Sequence, residues 1–183
     1  MRTTHKVEIT PTSVVLDGRL LPFRESGEAL LTEVYRQRVG DWPKFFKMDL
    51  LSKVGVLAAE LLLEAEGDRH RGGSDRAVIL SGRSGSLCDD RDYQQLIADP
   101  DDFYPSPSVF VYTLPNIVTG EIAIRNGWHG ETMYYALEEY DPAALAAYAT
   151  LAFTDPQTRS ALCGWVECPA HEDFYANMEI IER

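Results

Sequence analysis

The most regular pattern of apolar and polar residues lies in the first half of the chain, where it predicts a long helix over Met48–Glu66. Its apolar residues recur every three or four positions, which places them on one face of a helix. Asp49 or Ser52 can cap the start, and Gly67 is the residue type at which helices commonly end. We therefore expect this helix to pack its apolar stripe against a core.

Other segments have weaker helical signals. Asp141 and Pro142 provide a cap and a first-turn proline for an alanine-rich helix over Ala143–Phe153. Pro115 favours a helix start at the run IVTGEIAI, although Val109–Tyr112 just before it could also continue as a strand. Polar segments with weaker spacing predict two further helices, Arg24–Gly40 and Asp90–Ile97.

Short apolar or alternating runs between turn-forming residues predict the strands. Lys6–Ile9 and Ser13–Leu16 are close enough to form a hairpin. The apolar run Arg76–Leu80 predicts a buried strand that leads into the loop SGRSGS. Two more strands are predicted near the carboxyl terminus, at Ser160–Glu167 and Tyr175–Ile181. Strands and helices in this order predict a layered α/β fold with a mostly mixed sheet.

Composition narrows the class of protein and its partners. The 183 residues are 45% hydrophobic and 25% charged, which is typical of one globular domain over residues 1–183. Seventeen basic residues against 29 acidic ones give a net charge of -12. Contacts to phosphates need clustered Lys and Arg, so we expect neither nucleic acid nor an anionic membrane as a partner.

The apolar runs and the cysteines predict a cytoplasmic location. The longest apolar run, Val54–Leu63, is interrupted by Gly55 and Glu60 and is too short to span a bilayer. The first residues, MRTTHKVEIT, lack the apolar core of a signal peptide. Three cysteines are an odd number without framework spacing, which favours reduced thiols.

Two groups of residues are candidates for metal binding. Cys163 and Cys168, followed by His171, are spaced more widely than the usual zinc pairs. The acidic clusters are explained more simply as solvated loop carboxylates and helix caps. They comprise Asp89, Asp90, Asp92, Asp99, Asp101 and Asp102. The prediction is therefore that the chain binds no metal and no cofactor.

Neither the glycine-rich loop nor the histidines define a site. The loop SGRSGS lacks the lysine of a nucleotide-binding loop and the spacing of a dinucleotide motif, so it is expected to be a turn. The histidines have no obvious partner in sequence and are scattered at His5, His70, His129 and His171. His129 is in the most constrained setting, yet one histidine does not establish a general base. The residues alone indicate an α/β domain and do not specify what it does.

Three segments match one family pattern in order and spacing over most of the chain. They are FFKMDLLSKVGVLAAELLLEAEG at 45–67, AVILSGRSGSLCDDRDYQQLI at 77–97 and PSPSVFVYTLPNIVTGEIAIRNGWHG at 105–130. Together they resemble the N-terminal half of the β-ketoacyl synthases, the condensing enzymes of fatty-acid and polyketide synthesis. CGWVEC at 163–168 stands at the family's Ala-Gly-Gly-x-Glu strand end. The resemblance implies one thiolase-like half, with the Met48–Glu66 and Pro142–Phe153 helices packed on a central sheet.

The resemblance also identifies what the chain lacks. In the family, a strand ends in Thr-Ala-Cys, and this cysteine begins a helix whose N-terminus activates the thiol and donates N–H groups to the oxyanion. The corresponding run here is GETMYYALEEYDPAAL, and counting from Gly130 places Glu139, or else Glu138, in the nucleophile slot. Met133–Leu145 contains no thiol. We therefore expect no catalytic nucleophile, with His129 as a weak catalytic candidate and a glutamate at the start of the alanine-rich helix.

Two functions follow as expectations. The family's catalytic histidines belong to a C-terminal half, which would begin where residue 183 stands, so the activity of a 3-oxoacyl-[acyl-carrier-protein] synthase is not expected. The first expectation is a non-catalytic partner, similar in part to chain-length factors, that forms a homodimer or binds a ketosynthase and meets an acyl carrier protein. Such a half would expose an apolar face that a partner covers. The alternative is an acyl-thioester hydrolase or decarboxylase that uses Glu139 and His129.

Overall fold

The computed structural model describes residues 1–67, 75–101 and 104–183. Within these ranges, the strands are β1 (Arg2–Thr10), β2 (Ser13–Leu16), β3 (Arg19–Leu20), β4 (Ala77–Gly82), β5 (Thr132–Ala136), β6 (Ser160–Ala170) and β7 (Asp173–Glu182). The helices are α1 (Gly27–Arg38), α2 (Leu50–Glu66), α3 (Leu87–Leu96), α4 (Pro107–Tyr112), α5 (Ile117–Asn126) and α6 (Pro142–Ala152). A short 3-10 helix, Pro43–Lys47, precedes α2.

All the strands belong to one mixed sheet, in the order β3-β2-β1-β7-β6-β4-β5. β4 pairs in parallel with both β5 and β6, whereas β6, β7, β1, β2 and β3 pair antiparallel in turn. The predicted amino-terminal hairpin is confirmed, with Val7 opposite Leu16. The mixed sheet predicted from the alternation of elements is therefore confirmed, and its parallel part is the group β5-β4-β6.

The long helix predicted over Met48–Glu66 is α2. Asp49 caps it by accepting a hydrogen bond from the backbone N–H of Ser52 at 3.1 Å, and Gly67 ends it with φ of 75°. α2 contacts β1, β6 and β7 on one side and α1 and α5 on the other. It is consequently buried around nearly its whole circumference, and its one buried carboxylate, Glu60, lies 2.9 Å from Nε of Arg125 on α5.

The opposite face of the sheet is covered differently. α6 packs there through Leu145, Ala149 and Ala152, which form a second apolar cluster with Ile79 of β4 and Cys163 of β6. Both helices that were predicted to pack on the sheet therefore do so, and they lie on opposite faces. Within the part of the chain that the structure describes, α6 is the one helix on this face of the sheet.

The structure corrects the sequence pattern in several places. Val109–Tyr112, for which a strand was the alternative, is part of α4, because Pro107 occupies a first-turn position behind Ser106. The short strand β5 was not predicted from periodicity, since its five residues are half exposed and pair on one side only. α1 begins three residues later than Arg24. No helix within the described ranges is long and apolar enough to cross a membrane.

Candidate functional site at the carboxyl ends of the parallel strands

The three parallel strands end at the same edge of the sheet. β4 ends at Gly82 beside β5, which ends at Ala136, and Glu167 lies on β6 just past the residues paired with β4. In α/β sheets, ligands bind outside the carboxyl ends of parallel strands. This edge is also where the sequence resemblance places the nucleophile slot, so it is the first candidate site.

Glu167 organises this edge by binding the loop that follows β4. Its carboxylate accepts hydrogen bonds from the backbone N–H groups of Arg83 and Ser84 and, at 2.6 Å, from the Ser84 hydroxyl. A Cβ atom at Gly82 would lie 2.5 Å from the Val166 carbonyl oxygen and 2.6 Å from the Glu167 carboxylate. Glycine is therefore required at 82, and the loop SGRSGS is a turn that connects β4 to α3.

The segment between β5 and α6 carries carboxylates at the positions that the sequence resemblance assigns to the nucleophile slot. Glu138 and Glu139 are both exposed in a bend, three to four residues before Pro142 begins the helix. Asp141 caps the helix: its Oδ1 accepts hydrogen bonds from the N–H groups of Ala143 at 2.9 Å and Ala144 at 3.0 Å. The residue at the start of the helix is thus Asp141, and it already binds N–H groups of the kind that would stabilise an oxyanion.

The two residues of the alternative enzyme lie far apart. His129 is exposed and precedes β5, whereas Glu139 is exposed and follows the same strand. The first and last residues of a five-residue strand lie about 13 Å apart, because each step along the strand advances ~3.3 Å. The strand between them argues against a shared role of Glu139 and His129 on one acyl group.

Two histidines have acidic partners that the sequence did not reveal. Nδ1 of His5 on β1 lies 2.8 Å from Oδ2 of Asp17, in the turn between β2 and β3. His171, in the turn between β6 and β7, lies 3.0 Å from Asp92 of α3. The expectation that the histidines lack partners is wrong for these two, and His70 lies outside the described residues.

The three cysteines are buried and free, and none has the environment of a nucleophile. Burial raises the pKa of the Cys163 thiol to about 12, and burial also raises the pKa of Cys168 and Cys88. Cys163 faces the α6 side of the sheet, whereas Cys168 belongs to the α2 side. Cys163 and Cys168 therefore cannot bind one metal ion together with His171, which was the arrangement considered from their spacing in the sequence.

A second candidate site is a cavity of about 430 Å³ beside α3. Its walls come from the starts of α1 and α2, from α3 and α4, and from the β6–β7 turn. Asp89 of α3 is 9% exposed, and burial together with the charges of Asp49 and Asp92 raises its pKa to about 7. The prediction that this acidic cluster is solvated is thus wrong for Asp89; Asp102 lies outside the described residues.

Comparison with known proteins identifies the fold. No family model and no curated protein matches the chain. The ishigamide ketosynthase/chain length factor superposes with a TM-score of 0.72 at 17% identity, over 99% of this chain and 61% of that one. A ketosynthase in complex with its chain length factor, from Xenorhabdus doucetiae, gives 0.61 at 15% identity, over 100% and 78% of the two chains.

A third structure extends the same result. A type II polyketide synthase acyl-carrier protein in complex with its ketosynthase, bound to the hexaketide, matches with a TM-score of 0.62 at 16% identity, over 99% of this chain and 62% of that one. The chain therefore has the thiolase-like fold of ketosynthases and chain length factors, as the sequence resemblance predicted. It spans 61% of the length of the first of these structures.

Proposed function

We propose that this protein is a ketosynthase-like subunit without a catalytic nucleophile, which pairs with a ketosynthase in polyketide or fatty-acid synthesis on an acyl carrier protein. The observation that carries the proposal is the start of α6. A condensing enzyme needs a thiol there, with N–H groups free to bind an oxyanion. This chain has exposed Glu138 and Glu139 before the helix, and Asp141 occupies the N–H groups of Ala143 and Ala144.

The buried cysteines support the same conclusion. Acyl transfer requires a thiolate that a substrate can reach, whereas each thiol here is buried and has a raised pKa. Reduced, unpaired thiols are also typical of the cytosol, so a cytoplasmic location belongs to the proposal.

Three surfaces favour association with a partner. β5 lies at the end of the sheet and pairs only with β4 among the described strands, so its outer edge presents backbone groups to a further strand. The outer side of α6 is apolar, with Leu151 63% exposed beside Ala147. α3, α4 and the turn that follows α4 expose a third set of large apolar side chains: Leu87, Leu96, Phe110, Val111 and Leu114.

The outward-facing backbone groups of β5 can be assigned from its hydrogen bonds to β4. The carbonyl of Glu131 accepts from the N–H of Val78, and the N–H of Leu137 donates to the carbonyl of Gly82. Because a strand alternates the direction of its backbone groups, odd-numbered residues face β4 and Thr132 faces outward. Edge-to-edge pairing through β5 is therefore the dimer geometry that we propose, with either a ketosynthase or a second copy.

The proposal is tested by incubating the chain with malonyl-loaded acyl carrier protein. Mass spectrometry then measures acyl adducts on the chain and decarboxylation of the malonyl group. We expect no acyl adduct on the chain and no decarboxylation by the chain alone. Adding it to a ketosynthase encoded in the same gene cluster should raise the yield or change the length of the product. Turnover by the isolated chain, or a product unchanged by its addition, would contradict the proposal.

A further inference from the structure

The cavity beside α3 contains a set of donor atoms that the proposed function does not use. Cys88 Sγ, a carboxylate oxygen of Asp92 and a ring nitrogen of His171 all lie within 4.8 Å of one another. Cys88 and Asp92 are four residues apart on α3, so they share one face of the helix, and His171 approaches from the β6–β7 turn. One sulfur, one nitrogen and one oxygen donor therefore converge from two separate parts of the chain.

A second observation at the same place points to a cation. Asp89 lines the cavity and is only 9% exposed. Its Oδ2 atom is buried and has no hydrogen-bond partner. A buried carboxylate oxygen without a partner is unfavourable unless a proton, water or metal compensates it. The charged residues that line the cavity are Glu28, Asp49, Asp89, Asp92, Lys47 and Lys53. Carboxylates outnumber the lysines, so the local charge favours a cation.

The donor set and the spacing fit zinc. Zinc binds Cys, His and Asp in tetrahedral sites at ~2.0–2.3 Å, which places its ligand atoms about 3.3–3.8 Å apart. Nε2 of His171 is 3.0 Å from Asp92, close to that separation. The side chains of Asp92 and His171 are 43% and 55% exposed, so they can move by the remaining ångström towards the buried Cys88.

The other ring nitrogen of His171 also has a suitable neighbour. Nδ1 lies 3.6 Å from Oε1 of Glu28, and zinc-bound histidines usually donate their second N–H to a carboxylate. The approach of Glu28 from α1 would fix the orientation of the ring. It would also connect α1, α3 and the β6–β7 turn through one ion.

We propose that Cys88, Asp92 and His171 bind one zinc ion, with a water of the cavity as the fourth ligand and Asp89 accepting a hydrogen bond from that water. The thiol of Cys88 loses its proton to solvent when the sulfur binds the metal. The ion then links α3 to the β6–β7 turn and stabilises the folded chain. This site is independent of the partner function proposed above.

The test uses the full chain, stripped of metal with a chelator and then titrated with Co²⁺ or Zn²⁺. We expect one Co²⁺ per chain, with a thiolate-to-cobalt charge-transfer band and the strong visible bands of tetrahedral cobalt. Zn²⁺ should displace it and raise the melting temperature. Cys88→Ala should abolish the charge-transfer band, and His171→Gln should weaken zinc affinity by ~10-fold or more.

His129→Gln is the matched control, because it removes an exposed histidine outside the cavity. It should bind Co²⁺ and Zn²⁺ as the unaltered chain does. His171 is exposed enough that its variant is expected to fold even if the Cys88 variant does not. The proposal is overturned if the unaltered chain shows no thiolate-to-cobalt band. It is equally overturned if His171→Gln binds zinc as tightly as His129→Gln, which would leave the ion pair with Asp92 as the whole role of His171.

Discussion

Removing the Glu167 carboxylate should release the loop that follows β4. The carboxylate accepts three hydrogen bonds, two from the N–H groups of Arg83 and Ser84 and one from the Ser84 hydroxyl. A hydrogen bond to a charged group contributes about 1.5–3 kcal/mol. Because Glu167 is half-buried, water can replace some of these hydrogen bonds in the variant. We therefore expect Glu167→Ala to lower the free energy of unfolding by about 2–4 kcal/mol. Glu167→Gln retains one acceptor oxygen and should lose about half as much.

Urea unfolding followed by circular dichroism measures this loss, and hydrogen exchange of the Arg83 and Ser84 amides locates it. For a chain of this size the loss corresponds to a fall in melting temperature of about 5–15 °C. Glu138→Ala is the matched control, since it removes an exposed carboxylate from the same edge of the sheet. If Glu167→Ala is as stable as Glu138→Ala, and its two loop amides exchange no faster, the assignment of Glu167 as the organiser of this edge is refuted.

Three further predictions concern stability and chemistry elsewhere. Arg125→Met should lower the free energy of unfolding by about 3 kcal/mol or more in urea melts, because it removes the guanidinium 2.9 Å from buried Glu60. Arg2→Met, at an exposed ion pair, is the control and should change the free energy of unfolding by less than ~1 kcal/mol. The pKa of Asp89 is raised from its usual value of 3.8 to about 7 in the folded chain. Between these pH values the folded chain therefore retains a proton that the unfolded chain has lost. The contribution of this proton to stability is therefore lost as the pH rises through 7. With chelator present, Asp89→Asn should unfold at a higher urea concentration than the unaltered chain at pH 8 but not at pH 4. An equal shift at pH 8 and pH 4 would contradict this prediction. Glu139→Cys should yield no ketoacyl product in a condensation assay, since Asp141 still occupies the helix N–H groups, and product from this variant would contradict that account.

The parts of the fold that sequence predicted well are those with a strong local signal. α2 combines a cap at Asp49, a long apolar stripe and a stop at Gly67, and each of these acts within a few residues of the chain. β5 and α4 were missed because their short segments depend on neighbours: β5 is a strand through its pairing with β4, and α4 is fixed by Pro107. α1 begins three residues later, and α3 three residues earlier, than the sequence pattern predicts.

The candidate sites were harder to predict, because they depend on contacts between distant residues. Counting along the chain assigned Glu139 to the nucleophile slot of the family pattern. It could not show that Asp141 would bind the helix N–H groups. The group formed by Cys88, Asp92 and His171 joins residues about 80 positions apart, which no sequence spacing reveals. The i to i+4 spacing of Cys88 and Asp92 on one helix was the signal available for it.

The central claim is that the protein acts by pairing with a ketosynthase through the outer edge of β5. Sedimentation velocity of the chain mixed with the ketosynthase of its own gene cluster tests this directly, using Thr132→Pro and Thr132→Ala as a matched pair. Proline removes the outward N–H of residue 132, which is not among the groups bonded to β4, whereas alanine keeps that N–H. The account predicts a one-to-one complex for the unaltered chain and for Thr132→Ala, and its loss for Thr132→Pro. It is contradicted if the chain sediments as a monomer beside the ketosynthase, or if Thr132→Pro binds as tightly as Thr132→Ala.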